Sequence, residues 1–146
     1  YHRRRQIAPD VWLTFLEAGH VLGSALCVLE VDDEGARKRI VFTGDLGRRG
    51  LPILRDPELP EGADVLIMES TYGDRLHPPL QELDDQLAMV LTRTHARGGK
   101  VVIPTFALER AQQLIFSLKK LKQANRIPHM PVYVDSPLTV SSTQVF

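Results

Sequence analysis

The 146-residue chain has a single cysteine, Cys27, so no disulfide can form within it. One unpaired thiol fits a reducing compartment. Long hydrophobic runs are also missing: charges or prolines interrupt every apolar stretch before the ~18 residues a membrane-spanning helix needs. Neither sign of charge dominates, with 18 Lys+Arg against 18 Asp+Glu, so any nucleic-acid-binding surface must be local. The basic start, Tyr1-His2-Arg3-Arg4-Arg5, is not followed by the apolar core of a signal peptide. No G-x-G-x-x-G, phosphate loop or G-x-S-x-G is present, which excludes the usual dinucleotide, nucleotide and nucleophile-elbow sites. What remains, 43% hydrophobic and 25% charged, is the composition of a folded domain rather than a disordered tail.

The pattern along the chain changes character halfway. Residues 11–16, 24–31 and 39–43 are rich in strand formers, the second run closed by the turn Asp32-Asp33-Glu34-Gly35. These three lie close enough in sequence to pair antiparallel. Residues 46–63 hold three glycines and three prolines and predict a long irregular loop of the functional kind. Residues 65–68 form an unbroken apolar run, which predicts a strand covered on both faces. Beyond it, Leu80, Leu83, Leu87, Val90 and Leu91 recur at helical spacing, and Gly98-Gly99 stops that helix. Residues 100–103 and 132–134 read as further strands. Between them lies a second helix striped by Leu108, Ala111, Ile115, Leu118 and Leu121. Strands alternating with helices predict a parallel sheet with helical cover, so the fold class is mixed α/β.

Four polar residues follow predicted strands directly: His20, Asp45, Glu69 and Asp135. Ligand crevices in open α/β sheets lie at the carboxyl ends of strands. A polar residue there is also ordinary, because loops are polar and Asp caps turns, but four in one short chain favour a site. His20 and Asp45 offer imidazole and carboxylate, both zinc ligands, each behind a glycine (Gly19, Gly44). One His and one Asp make half of a tetrahedral site at most. His2, His77, His95 and His129 sit at a terminus, before prolines, on a polar helix end and in a turn, and read as solvated or structural. Cys27 reads as an inert buried thiol, and Lys119-Lys120-Leu121-Lys122 as a solvated helix face.

Two strings near the candidate ligands, Glu17-Ala18-Gly19-His20-Val21-Leu22-Gly23-Ser24-Ala25 and Thr43-Gly44-Asp45-Leu46-Gly47-Arg48, resemble the third and fourth motifs of the metallo-β-lactamase fold. Glu69-Ser70-Thr71-Tyr72-Gly73-Asp74-Arg75, Pro104-Thr105-Phe106-Ala107-Leu108-Glu109-Arg110-Ala111-Gln112 and Val132-Tyr133-Val134-Asp135-Ser136-Pro137-Leu138 are similar to motifs of its β-CASP subgroup, in the RNA-processing branch. The resemblance covers nearly the whole chain. It implies a partial metallo-β-lactamase fold of αββα type in residues 1–73. The start of an inserted β-CASP domain, with parallel strands and helices, follows in residues 74–146.

By the same resemblance, the parent enzyme would be a zinc-dependent RNA phosphodiesterase with two Zn2+ ions. His20 would bind one zinc, Asp45 would bridge both, and Glu69, not a ligand, would orient a histidine that serves the leaving oxygen. The expected substrate is single-stranded RNA, gripped by local cations for which Arg48 and Arg75 are candidates. The expected compartment is the cytoplasm, with no membrane partner and homo-oligomerisation left open. The family's His-x-His-x-Asp-His cluster and its late histidine motifs are absent from the sequence. The chain is therefore expected to be the middle of such an enzyme, and inactive by itself. Two rivals stand beside this: a catalytically dead scaffold or RNA-binding homologue, disfavoured by retention of His20 and Asp45, and a small-molecule hydrolase of the same fold, disfavoured by the β-CASP strings.

Overall fold

A computed structural model describes residues 1–146 as two compact units, Tyr1–Arg75 and Leu76–Phe146. The first is a five-stranded sheet in sequence order: β1 (Arg5–Ala8), β2 (Val11–Glu17), β3 (Ala25–Asp33), β4 (Ala36–Phe42) and β5 (Val65–Ile67). The first four strands pair antiparallel, and β5 joins β4 in parallel through Ile40↔Val65 and Phe42↔Ile67. Between β3 and β4, Glu34 (φ 50°) and Gly35 (φ 86°) supply the two positive φ values of a tight hairpin turn whose twist suits the flanking strands. Residues 43–64 contain no helix or strand, as their prolines and glycines predict.

Side chains on a strand alternate between faces, and here the two faces differ. Leu26, Val28 and Val41 are buried on one face together with Ala18, and Leu16 and Leu46 pack against them. The other face carries Phe15, Phe42, Val65 and Ile67, all exposed. Two expectations need correction. The run 65–68 is not covered on both faces: Val65, Leu66, Ile67 and Met68, which alternate between the faces, are all exposed. Cys27 is only half-buried, since its register partners are Phe15 and Phe42 on the open face.

The second unit holds α1 (Leu80–Ala96), α2 (Arg110–Gln123) and α3 (Pro137–Thr143). Helix α1 ends where the glycines predict: Gly98 adopts φ +67°, and the Gly98 and Gly99 amides close onto the carbonyls of His95 and Thr94. The stripe it buries is rotated from the predicted one. Ala88, Leu91 and Thr94 are buried, whereas Leu83 and Val90 are exposed. Carboxylates at the start of α1 are paired, Asp84 with Lys120 at 2.9 Å and Asp85 with Arg126 at 2.7 Å. Leu121 is the fully buried anchor of α2. Ser136 caps α3 by accepting from the Thr139 amide.

The predicted parallel strands at 100–103 and 132–134 are not formed among the described residues. A strand is defined by its ladder, and these runs have no strand beside them. Val102 and Tyr133 stand in solvent instead. No helix is long and apolar enough to cross a membrane among the described residues.

Candidate functional site

The strand directions bring three of the four strand-end residues to one end of the sheet. Because β2 and β4 are both antiparallel to β3, they run the same way, and β5 runs parallel to β4. The segments leaving β2, β4 and β5 therefore emerge at the same end of the sheet, carrying His20, Asp45 and Glu69.

Each segment is held by its own backbone. Gly19 turns at φ +63°, its amide donating to Glu17 Oε1 at 2.9 Å. Ser24 Oγ accepts from the amides of His20 and Val21 at 3.1 and 3.2 Å, which fixes the peptide that bears the imidazole. After β4, the Thr43 amide donates to Ile67 O at 3.0 Å and prolongs the β4–β5 pairing by one step. Gly44 then turns at φ +55° and aims Asp45 outward.

His20 Nε2 lies 3.9 Å from Asp45 Oδ2. That is too long for a hydrogen bond, yet one ion bonded at about 2.0–2.2 Å can touch both atoms. The imidazole is 32% exposed and the carboxylate 75% exposed, so both face solvent from one end of the sheet. Glu69 is turned inward: its Oε1 accepts from the Leu46 amide at 2.7 Å. A hydrogen bond from Thr71 chiefly, and then the Leu46 amide, hold its carboxyl below the usual carboxylate range. Partial burial opposes that shift, and the nearby His20 supports it.

Imidazole and carboxylate suit zinc chemically, but they are two donors where a zinc ion takes about four. No group of three or more His, Cys, Asp or Glu forms a metal cage among the described residues. The donor set is thus compatible with part of a metal centre and too small to close one.

Of the remaining candidates, Arg48 and Arg75 belong to the first unit and Asp135 to the second. Arg75 pairs with Asp74 at 3.0 Å and stacks over Tyr72 at 5.4 Å, so it is occupied locally. Arg48 is half-buried. Asp135 is an exposed residue of the second unit, immediately before the α3 cap. Sequence reasoning missed three contributors to the site: Thr71, Glu58 and Gly47. Glu58 ties its segment to the end of β2, accepting from the Glu17 amide through its carboxylate and donating its own amide to Glu17 O. Gly47 donates to Ala18 O at 2.8 Å across the site. In the sequence it stands inside the Thr43–Arg48 string, two residues after Asp45.

No family model matches the chain. It is 44% identical over 126 residues to the Thermus thermophilus protein named ribonuclease TTHA0252, a match covering 86% of this chain and 28% of that protein. It is 38% identical over 152 residues to the RNase J-like protein of Methanocaldococcus jannaschii, covering 100% of this chain and 34% of the relative. To the cleavage and polyadenylation specificity factor subunit 3 of Dictyostelium discoideum it is 38% identical over 147 residues, covering 99% and 18%. The chain spans about a third or less of the length of these curated relatives. Together with the motifs, these matches indicate a segment of a β-CASP protein of the metallo-β-lactamase fold.

Proposed function

We propose that this chain is a segment of a metal-dependent RNA phosphodiesterase, in which His20 and Asp45 are ligands of a binuclear zinc centre. Residues 1–73 would complete the metallo-β-lactamase-fold half, and residues 74–146 would open the inserted β-CASP domain. The observation that carries this reading is the approach of His20 Nε2 to Asp45 Oδ2, 3.9 Å, at the end of the sheet where three strands deliver polar residues. The relatives' names, ribonuclease among them, support RNA as the substrate.

His20 would hold one ion through Nε2, and Asp45, with two oxygens and an open environment, suits a bridge between two. Such a pair of ions supplies positive charge for the phosphate oxygens and acidifies water near neutral pH. The chain's own groups contribute positioning: Ser24 orients the His20 peptide, and the Gly44 turn presents the Asp45 carboxylate. Glu69, ionised and tied to Leu46, suits a proton-orienting partner rather than a ligand.

The test is cleavage of a labelled single-stranded RNA by the full-length parent, wild type beside Asp45→Ala. Loss of a bridging ligand removes several kcal/mol of charge stabilisation, so the rate should fall by about a thousandfold or more. An Asp45→Ala parent that cleaves at the wild-type rate would rule the assignment out.

A further inference from the structure

The segment carrying Asp45 is gripped from two sides, on the two peptide groups that follow it. On one side, Glu69 Oε1 accepts from the Leu46 amide at 2.7 Å. On the other, the Gly47 amide donates to Ala18 O at 2.8 Å, and Gly47 lies directly on the backbone that leads into His20. A β-carbon at position 47 would overlap the Gly19 carbonyl group and lie 2.6 Å from the His20 amide nitrogen. The Gly47 φ is not in the left-handed region, so the requirement for glycine here is one of space, not of backbone conformation.

The His20 segment cannot simply retreat. Behind it, a β-carbon at Gly19 would meet Arg55 O and Pro57 N at 2.8 Å. The Glu17–Glu58 backbone and carboxylate bonds hold that neighbouring segment in place. Residues 55–58, 17–20 and 45–47 are therefore stacked backbone on backbone. None of these contacts involves the side chain of His20 or Asp45.

We infer that Gly47 and Glu69 are positioning residues. Together they clamp the Leu46–Gly47 backbone against the Ala18–His20 strand end and so fix the spacing of the two proposed ligands. This rests on the metal-centre reading above, and it gives Glu69 a task separate from any histidine it orients. Groups that orient metal ligands from outside the coordination shell typically change metal affinity by about 10–100-fold when altered.

The test uses the full-length parent loaded with cobalt(II), whose visible absorption reports ligand geometry, together with metal retention against a competing chelator. Gly47→Ala should weaken retention by about 10–100-fold and change the cobalt spectrum. Glu69→Ala should act in the same direction by about tenfold. Glu69→Gln, whose amide oxygen can still accept from Leu46, should stay within about twofold of wild type. Val28→Ala, a core change remote from the clamp, should lower Tm and leave the spectrum untouched. Wild-type retention and spectrum in both Gly47→Ala and Glu69→Ala would overturn the inference, as would a Val28→Ala parent showing the same losses. If Gly47→Ala does not fold, the contrast between Glu69→Ala and Glu69→Gln decides alone. Crystals of the same variants without metal give a separate readout: the His20–Asp45 distance should widen beyond 3.9 Å in Gly47→Ala and Glu69→Ala. A wild-type parent that retains no metal would thus sink the functional reading, while the distance still judges the clamp.

Discussion

The two compact units solve the burial problem differently. In Tyr1–Arg75 a continuous ladder of five strands satisfies the backbone, and one sheet face gathers Leu26, Val28 and Val41. In Leu76–Phe146 helices α1, α2 and α3 satisfy their own backbone, and burial concentrates at Leu91, Ala111 and Leu121. The runs 101–103 and 132–134, apolar in sequence, stay exposed between those helices. A helix needs only its own residues to form hydrogen bonds, whereas a strand needs a partner at its side. The candidate site sits in the sheet unit for the same reason. Strands β2, β4 and β5 run the same way, so the segments that follow them leave at one end of the sheet.

The largest effect that can break this contrast is in the two cores. Leu26→Ala and Leu121→Ala each remove a fully buried side chain and should each cost about 2–5 kcal/mol. Hydrogen exchange should show lost amide protection in β3 and β4 for the first, and in α1 and α2 for the second. A silent Leu121→Ala would mean that the helical unit has no packed core.

A smaller effect is the pH dependence of the helical unit. Burial pushes the Asp84 carboxyl up, but hydrogen bonds from Lys120 and Ser117, with the charge of Lys120, more than offset it and leave its pKa lowered. A carboxylate lowered on folding contributes stability that is present above its ordinary pKa of about 4 and lost as pH falls through the folded value. The start of α1 should therefore loosen in acid, seen as faster amide exchange below about pH 4, and Asp84→Asn should flatten that dependence. An Asp84→Asn protein with the wild-type pH profile would remove the Asp84–Lys120 pair from the account of the helical unit.

Much of this organisation is legible in the residues. Runs rich in strand formers mark β2, β3 and β4, the turn Asp32-Asp33-Glu34-Gly35 marks the β3–β4 hairpin, and Gly98-Gly99 marks the end of α1. His20, Asp45 and Glu69 stand out because polar residues follow apolar strands. Strand β1 was missed, since Arg5-Gln6-Ile7-Ala8 has little strand character and owes its pairing to β2. The buried stripe of α1 was misjudged because Leu83 and Val90 fit a helical period as well as Ala88 and Leu91 do, and tertiary packing chooses between them. The packing role of Gly47 is hidden in the sequence for a different reason. A glycine in a loop reads as a turn, and only the fold reveals that it rests on the backbone before His20.

The most direct test of a shared centre at His20 and Asp45 is a double-mutant cycle on zinc retention in the full-length parent. His20→Ala and Asp45→Ala should each weaken retention by about tenfold or more. Because both would act on one centre, the double variant should lose far less than the sum of the two single losses. Two wild-type single variants, or losses that simply add, would contradict the claim that these side chains, 3.9 Å apart, serve one metal site.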